Sequence, residues 1–356
     1  MKISITGLPN SGKTTLFNAL TRSEAPVASY SDSRAEPHLG EVEVIDERIT
    51  RLSKLYNPEK TTYAKIEMID FAGVSKGAAR EGPLSGELLR LIKSTDALAV
   101  VLRNFSDDNA GVPDPGIDLS TITGEFLLSD MVITENRLEK IEAGFKRGIK
   151  TNELQIEQSV LRKIHAHLEE MKPVRNLELS DTELKAIKGF QFLTLKPLLV
   201  IVNSSEELFG KNASLMASLS QSYTAIEFAG NFEMELSRLT DQEEIRLFMD
   251  DMGINESARD RLSQAAYSLL GYISFFTVGD DEVRAWTIRQ GDTALLAAGA
   301  IHSDLMRGFI RAECFSYDDL RDAGSEKAVK EKGKFRLEGK NYIVKDGDIL
   351  SIRFNV

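Results

Sequence analysis

Residues 2–20 read KISITGLPNSGKTTLFNAL, and this stretch decides the fold class. Its first five residues are alternately apolar and polar, and rich in β-branched side chains, so they predict a short β-strand. Residues 14–20 carry apolar side chains at the i, i+3, i+4 spacing of an amphipathic helix. Strand, glycine-containing loop and helix follow one another in the order that opens an α/β nucleotide-binding domain.

The loop between that strand and helix matches G-x-x-x-x-G-K-[ST] from Gly7 to Thr14. Glycines let the backbone wrap so that successive N–H groups point at a triphosphate, and the helix N-terminus adds a partial positive charge. Lys13 is expected against the β- and γ-phosphates, and the Thr14 hydroxyl on Mg²⁺. A glycine-rich turn that matches by chance is the alternative. The loop residues predicted to bind nucleotide are Pro9, Asn10, Ser11, Gly12, Lys13, Thr14 and Thr15.

Further strands are predicted at residues 65–70, 97–103, 198–203 and 224–229, several of them continuous apolar runs typical of a mainly parallel sheet covered on both faces. The first of these ends in Asp70-Phe71-Ala72-Gly73. A carboxylate at the carboxyl end of a parallel strand faces the ligand crevice, so Asp70 is expected to hold Mg²⁺ directly or through water. The Gly73 amide is expected to meet the γ-phosphate, which makes Lys13, Asp70 and Gly73 the candidate catalytic residues.

The strand at 198–203 ends in Asn203-Ser204-Ser205-Glu206, where GTPases use N-K-x-D. The longer Glu206 carboxylate shifts its oxygens relative to the base, and Ser204 offers no flat surface for stacking, so guanine selectivity should weaken and ATP becomes plausible. An ordinary polar loop is the alternative. The predicted base-side contacts are Asn203, Ser205, Glu206 and Ala229.

Composition excludes several classes of protein. The chain has 356 residues, a net charge of -11 and a single cysteine, Cys314, so it contains no intramolecular disulfide and is no general nucleic-acid coat. Its apolar runs fall short of the ~20 residues that a membrane span needs, and no signal-peptide pattern opens the chain. We therefore expect a cytoplasmic protein without membrane contact.

Two other regions differ from the nucleotide-binding domain, which is predicted at 1–122 and 196–272. In residues 123–195, apolar side chains recur at alternating steps of four and three, which predicts an antiparallel helical hairpin inserted into the sheet domain. Residues 273–356 predict a small α+β domain with a helix near 293–307 and 13 basic against 14 acidic residues. Because the rest of the chain is far more acidic, this domain is the favoured one for contact with RNA.

These motifs, with the hairpin before Asn203 and the segments 282–288, 308–313 and 346–349, resemble the YchF family, the Obg-like ATPases, over essentially the whole chain. The resemblance implies a P-loop G domain, an inserted coiled coil and a C-terminal TGS domain with a β-grasp, ubiquitin-like fold. It also implies hydrolysis of ATP in preference to GTP, and an association with ribosomes and with translation or stress control.

The chain departs from the family near the expected catalytic centre. The family's stretch Tyr-Pro-Phe-x-Thr-Ile-Glu-Pro reads YSDSRAEP here, so Arg34 replaces the threonine that resembles the Mg²⁺-contacting switch residue of GTPases. The family's histidine after the strand at 97–103 is missing from residues 104–115, and His38 is expected to be a surface residue. Val74 stands where many GTPases place a water-orienting glutamine, and the family shares this hydrophobic substitution. Hydrolysis is therefore expected to be slow, or to be rescued by a partner or a cation.

Three hypotheses follow. The first is a Mg²⁺-dependent ATPase, also accepting GTP, that acts as a switch and meets the ribosome or its RNA through the hairpin and the TGS domain. The second is a nucleotide sensor with little turnover, and the third a GTP-preferring GTPase, which Ser204 and Glu206 disfavour. Asn10 occupies the loop position where some related GTPases bind K⁺, so K⁺ is a candidate cofactor, although Asn10 fits a loop-forming role equally well.

Overall fold

The computed structural model describes residues 1–23, 25, 37–70, 92–107 and 111–355, and the chain divides into two compact units. The first unit consists of Lys2–Gly40 and Glu67–Ala258, and the second of Glu41–Ile66 and Arg259–Val356 together with Met1. Residues 41–66, which the sequence placed in the nucleotide-binding domain, thus group with the C-terminal region.

The strands are β1 Lys2–Gly7, β2 His38–Val44, β3 Lys60–Thr62, β4 Ala64–Asp70, β5 Ala97–Asn104, β6 Leu198–Ser204, β7 Thr224–Ala229, β8 Tyr272–Thr277, β9 Glu282–Arg289, β10 Phe309–Ser316, β11 Arg336–Glu338 and β12 Asp348–Phe354. The helices are α1 Lys13–Thr21, α2 Glu47–Tyr56, α3 Pro115–Lys146, α4 Asn152–Glu169, α5 Asp181–Ile187, α6 Ala213–Ser220, α7 Gly230–Arg238, α8 Gln242–Asp251, α9 Ala258–Leu270, α10 Ala294–Ile301, α11 Ser303–Arg307, α12 Tyr317–Ala323 and α13 Glu326–Glu331.

A six-stranded sheet in the order β2-β4-β1-β5-β6-β7 organises the nucleotide-binding region. Its pairs from β4 through β7 are parallel. Every residue of β5 and β6 is buried, which confirms the predicted sheet covered on both faces. The carboxyl ends of β1, β4, β6 and β7 share one edge, so the loops that follow them meet there.

Helices α3 and α4 form the predicted hairpin. Ion pairs Arg137–Glu157 (2.5 Å) and Arg162–Glu142 (3.0 Å) link the two helices, and the short connection at residues 147–151 makes the pair antiparallel. Helix α3 begins earlier than residue 123, because the Asp114 carboxylate accepts the N–H of Ile117 (2.9 Å) and Pro115 opens the helix. Its first turns pack into the core of the sheet and its later turns against α4.

Asp130 fixes α3 to the chain segment that leads into β6. Its side chain is fully buried; Oδ1 accepts the N–H of Leu193 (3.0 Å), and Oδ2 accepts the N–H (2.8 Å) and the hydroxyl (2.7 Å) of Thr194. Burial raises the pKa of Asp130 to about 6, against the opposing effect of these three donors. Both carboxylate oxygens are therefore fully engaged within the protein.

The second unit is built on a sheet in the order β11-β10-β12-β8-β9-β3. Strands β8 and β9 form an antiparallel hairpin, β12 runs parallel to β8, and β3 pairs in parallel with β9. The last pairing explains why residues 41–66 group with this unit. The helix expected near 293–307 is two helices, because His302 is extended and its Nδ1 accepts the N–H of Asp304 (3.1 Å), which starts α11.

Candidate functional site

The phosphate-binding loop lies between β1 and α1, where the sequence predicts it. Gly12 has φ 87°, and a Cβ atom there would lie 2.1 Å from the Nδ2 atom of Asn203, so only glycine fits. Gly12 is also the N-cap of α1, and as a glycine it has no side chain to cap the amides of that helix. These first-turn N–H groups and the helix dipole are therefore directed at a space suited to an anion.

Lys13 opens α1 and turns back over the loop. Its Nζ atom donates to the carbonyl oxygen of Leu8 (2.8 Å), and its side chain is buried. Burial lowers the pKa of Lys13 to about 8, although the Asp70 carboxylate acts in the opposite direction. An ammonium held this way is desolvated and gains strongly from an approaching phosphate.

Asp70 ends β4 beside the loop. The Thr14 hydroxyl donates to its Oδ2 atom (2.8 Å), while the buried Oδ1 atom has no partner among the described residues. Burial raises the pKa of Asp70, opposed by Thr14, His38 and Lys13. A buried carboxylate oxygen left unbonded is costly, so this one indicates a ligand.

The donor set at this point fits Mg²⁺. Thr14 and Asp70 offer a hydroxyl and a carboxylate, which are hard oxygen ligands, and an unbonded carboxylate oxygen lies beside them. Within the described ranges, no group of three or more His, Cys, Asp or Glu side chains is arranged to hold a metal ion. In phosphate-binding sites Mg²⁺ commonly has only one or two protein ligands, and phosphate oxygens and water complete its coordination shell.

Asn203 ties the ends of β6 and β7 to the loop. Its Nδ2 atom donates to the carbonyl oxygen of Ser11 (3.0 Å), and its Oδ1 atom accepts the N–H of Gly230 (3.0 Å). Ala229, the last residue of β7, is thereby held beside the loop. The structure thus brings Asn203, Ala229 and the phosphate-binding loop together, and Asn203 serves first to connect backbone segments.

The remaining base-side candidates lie on the turn after β6. The Ser205 carbonyl oxygen accepts the N–H groups of Leu208 (3.0 Å) and Phe209 (2.9 Å), which closes this turn. Glu206 is exposed on it. Pro9 is exposed at the tip of the phosphate-binding loop, Asn10 has a left-handed backbone with φ 60°, and Thr15 is half-buried in α1.

Some predicted residues cannot be placed. Gly73 lies outside the described residues, and so do Arg34, which departs from the family's switch pattern, and Val74, whose hydrophobic character the family shares. Their roles stay predictions.

His38 is the residue that the sequence undervalued. It opens β2, and its Nδ1 atom lies 3.5 Å from Asp70 Oδ2, with its side chain 35% exposed. Its ring also lies 6.1 Å from that of Phe17, measured between centroids. The available signal was that His38 is the first histidine of the chain and the next follows only at His165; its contact with Asp70 depends on the order of β2 and β4 in the sheet.

Known proteins share both the fold and the full length of this chain. A family model described as "50S ribosome-binding GTPase" matches residues 2–137, and the C-terminal YchF-GTPase model, described as "Protein of unknown function (DUF933)", matches residues 272–355. The "Ribosome-binding ATPase YchF" of Bacillus subtilis is 41% identical over 99% of this chain and 98% of its own length. The protein of the same name from Haemophilus ducreyi is 40% identical, covering 100% and 99%.

The chain belongs to the YchF family. The structure of the Schizosaccharomyces pombe YchF GTPase matches it with a TM-score of 0.84 at 32% identity, over 99% of this chain and 97% of that one. The predicted fold class is thereby confirmed: a P-loop G domain with a mainly parallel sheet, a helical insert and a C-terminal domain. No helix of the described ranges is long and apolar enough to cross a bilayer.

Proposed function

We propose that this YchF-family chain binds ATP with Mg²⁺ and hydrolyses it slowly, with GTP as a weaker substrate. The observation that carries the proposal is the group of Lys13, Thr14 and Asp70 beside the uncapped start of α1. A buried cation, free helix amides and an unbonded carboxylate oxygen lie together, and a Mg²⁺-triphosphate satisfies all three.

Each residue has a separate task in this proposal. The Lys13 ammonium leaves the Leu8 carbonyl oxygen for phosphate oxygens, and the α1 amides donate to the same group. Thr14 and Asp70 hold Mg²⁺, directly or through water. When bound, Mg²⁺ neutralises negative charge on the β- and γ-phosphates. The Gly73 amide is proposed to meet the γ-phosphate.

The preference for ATP rests on the base-side residues. Ser204 is buried and offers no long side chain to lie over a base, and Glu206 follows at the position where GTPases carry an aspartate. Asn203 and Ala229 place this turn beside the phosphate loop. The printed name of the bacterial relatives, an ATPase, supports the same choice.

A nucleotide sensor with little turnover is the second candidate. It is favoured by Arg34 and by the lack of a histidine in residues 104–115, which leave the phosphate-binding loop intact but remove candidate hydrolytic groups. Whether K⁺ assists hydrolysis bears on the same choice, because Asn10 is a candidate ligand for K⁺. The left-handed backbone of Asn10 fits a loop-forming role as well.

We further propose that residues 123–195 and 273–356 act as separate modules, a coiled coil and a TGS domain, that carry the nucleotide state to the ribosome. The relatives are named ribosome-binding, and residues 146–150, where α3 ends, are all exposed and carry Lys146, Arg147 and Lys150. Clustered cations on an acidic protein suit the phosphates of RNA. Because ribosomes work in the cytoplasm, the proposal includes a cytoplasmic location.

The test combines binding and turnover. Labelled ATP and GTP are titrated onto the purified protein with Mg²⁺, and phosphate release is followed with and without K⁺ and ribosomes. The proposal expects tighter binding of ATP and slow release of phosphate. Tight ATP binding without release under every condition would leave the sensor, and a strong preference for GTP would overturn the assignment of the base.

Ribosome contact is tested by cosedimentation. The triple variant Lys146→Glu, Arg147→Glu and Lys150→Glu should bind ribosomes more weakly than the parent protein. Its remaining affinity should depend less steeply on salt concentration, because three phosphate contacts are removed. The matched control reverses Lys172, Lys185 and Lys188, which are exposed elsewhere in the insert. Equal binding by both variants would remove the hairpin tip from the interface.

A further inference from the structure

A partly buried polar network lies beneath the turn that follows β6. Its hub is Glu227 on β7, whose Oε1 atom accepts hydrogen bonds from the Ser204 hydroxyl (2.6 Å) and from Nδ2 of Asn212 (2.5 Å). Its Oε2 atom accepts the N–H of Gly210 (3.1 Å). A single carboxylate therefore holds the end of β6 and the far end of the turn, residues 205–212.

The network extends to the neighbouring strand. Nδ2 of Asn104, at the end of β5, donates to the Ser204 oxygen (2.9 Å), and the Asn104 carbonyl oxygen accepts the N–H of Ser205 (3.3 Å). Asn104 and Ser204 are both more than nine-tenths buried. The ends of three adjacent strands are thus locked together directly under the turn.

The identity of residue 204 accounts for the role that we give to Glu227. Ser204 occupies the position of the GTPase lysine, and its hydroxyl points into the protein toward Glu227 rather than over the base. Without a long side chain above the base, the conformation of the turn must be fixed from below, and one side chain that accepts three hydrogen bonds does this.

We propose that Glu227 is a positioning residue for purine recognition: it fixes the turn 205–212 so that Glu206 is held toward the base of the bound nucleotide. This rests on the proposed function, because it assumes that the base lies beside Asn203 and Glu206. In this proposal the Glu206 carboxylate is the acceptor for an amine of the base. Its selectivity depends on a fixed position, because a hydrogen bond to the base needs a defined distance and angle. Glu227 itself touches neither the base nor the phosphates.

The substitution Glu227→Gln tests this role with little change of shape. The glutamine NH₂ group must face either the Gly210 N–H or the donors from Ser204 and Asn212. At least one of the hydrogen bonds that hold the turn is therefore lost. The affinity for ATP, measured by titration with Mg²⁺ and a fluorescent ATP analogue, should fall roughly five- to tenfold. KM for ATP should rise in parallel while kcat stays unchanged, and the ratio of ATP to GTP affinity should move toward one.

Inorganic tripolyphosphate with Mg²⁺ separates this effect from damage to the phosphate site. It has no base, so its competition constant should change by less than about twofold in the Glu227→Gln variant. Glu207→Gln is the matched control, because Glu207 is exposed on the same turn and the charge change is identical. This control should leave all these constants unchanged.

Asn212→Ala serves as the second variant if Glu227→Gln lowers the melting temperature below the assay temperature. It removes the hydrogen bonds that Asn212 Nδ2 donates to Ser204, Leu208 and Glu227, and should shift the ATP affinity in the same direction by a smaller factor. Unchanged ATP affinity, or an equal loss for ATP and tripolyphosphate, would overturn the proposal. Failure of the unsubstituted protein to bind ATP while tripolyphosphate still binds would instead reject the proposed base site, and the positioning role with it.

Discussion

Asp70 and Asp130 are both buried aspartates of the first unit, with 4% and 0% of their surface exposed, yet their surroundings differ completely. Asp130 accepts three hydrogen bonds, and each of its oxygens is used. Asp70 has one oxygen bonded to Thr14, while no described residue bonds the other. Burial raises the pKa of both side chains, so burial alone does not distinguish them.

The difference separates structure from function. A carboxylate whose donors all come from its own chain closes a junction and has nothing left for a ligand. A buried carboxylate oxygen without a hydrogen bond costs free energy because it has lost its contact with water. A bound cation can offset that cost. We therefore expect substitutions at Asp130 to affect stability alone and substitutions around Asp70 to affect ligand binding alone.

The largest effect is expected for Asp70→Asn. The amide keeps an acceptor for the Thr14 hydroxyl but removes the charge that holds Mg²⁺, so the rate of ATP hydrolysis should fall roughly 100-fold or more. Stability should stay equal or rise slightly, because the raised pKa shows that the folded protein prefers the neutral side chain. Phosphate release and thermal melting measure the two quantities, and a variant that melts well below the parent protein would contradict the comparison.

Lys13→Met should come next. The methionine fills the same space without the ammonium, so the affinity for ATP should fall roughly 100-fold while the melting temperature holds. Lys196→Met is the matched control, because that ammonium is also partly buried, but it donates to the carbonyl oxygens of Lys93 and Thr95 before β5. The control should lower stability and leave the ATP affinity intact. An equal loss of affinity in both variants would show that the effect is not local to the loop.

Asp130→Asn tests the other side of the comparison. The amide can accept at one oxygen only, and its NH₂ group must face the N–H of Leu193 or of Thr194. The free energy of unfolding in urea should drop by about 2–3 kcal/mol, with the dissociation constant for ATP within about twofold of the parent. Glu139→Gln, exposed on the same helix, should change neither value. A large loss of ATP affinity at unchanged stability would assign Asp130 to the site.

The smallest effect is a dependence on pH. Lys13 has a pKa near 8 without ligand, and bound phosphates raise that pKa, so binding above pH 8 must take up a proton. The affinity for ATP should therefore be nearly constant from pH 7 to 8 and then weaken by up to about tenfold per unit. Isothermal titration from pH 7 to 9.5 measures this slope. The Lys13→Met variant should lose it, and a slope that persists there would assign it to another group.

The sequence predicted most of the sheet and the phosphate loop. Continuous apolar runs identified β5 and β6 to within one residue, because strands buried on both faces are mostly apolar. Strand β7 was placed with its exact ends, although it is only partly buried and carries Glu227. The start of α3 was missed, since its first turns face the sheet and not α4. The pairing of β3 with β9 was missed as well, because three residues give no periodic signal for a partner more than 200 positions away.

The sequence alone determined the chemistry of the phosphate-binding loop. A local motif places a lysine and a threonine directly after a glycine, and the positions of these residues depend on the short-range geometry of the loop. Only the tertiary structure decided that Asp70 has an unbonded oxygen, that His38 lies against it, and that Glu227 holds the turn after β6. These contacts join residues from separate strands, so they depend on strand order and register. Strand order depends on how the whole sheet packs, and register depends on the hydrophobic patterns of both partners and on the turns, so neither can be read from one strand alone.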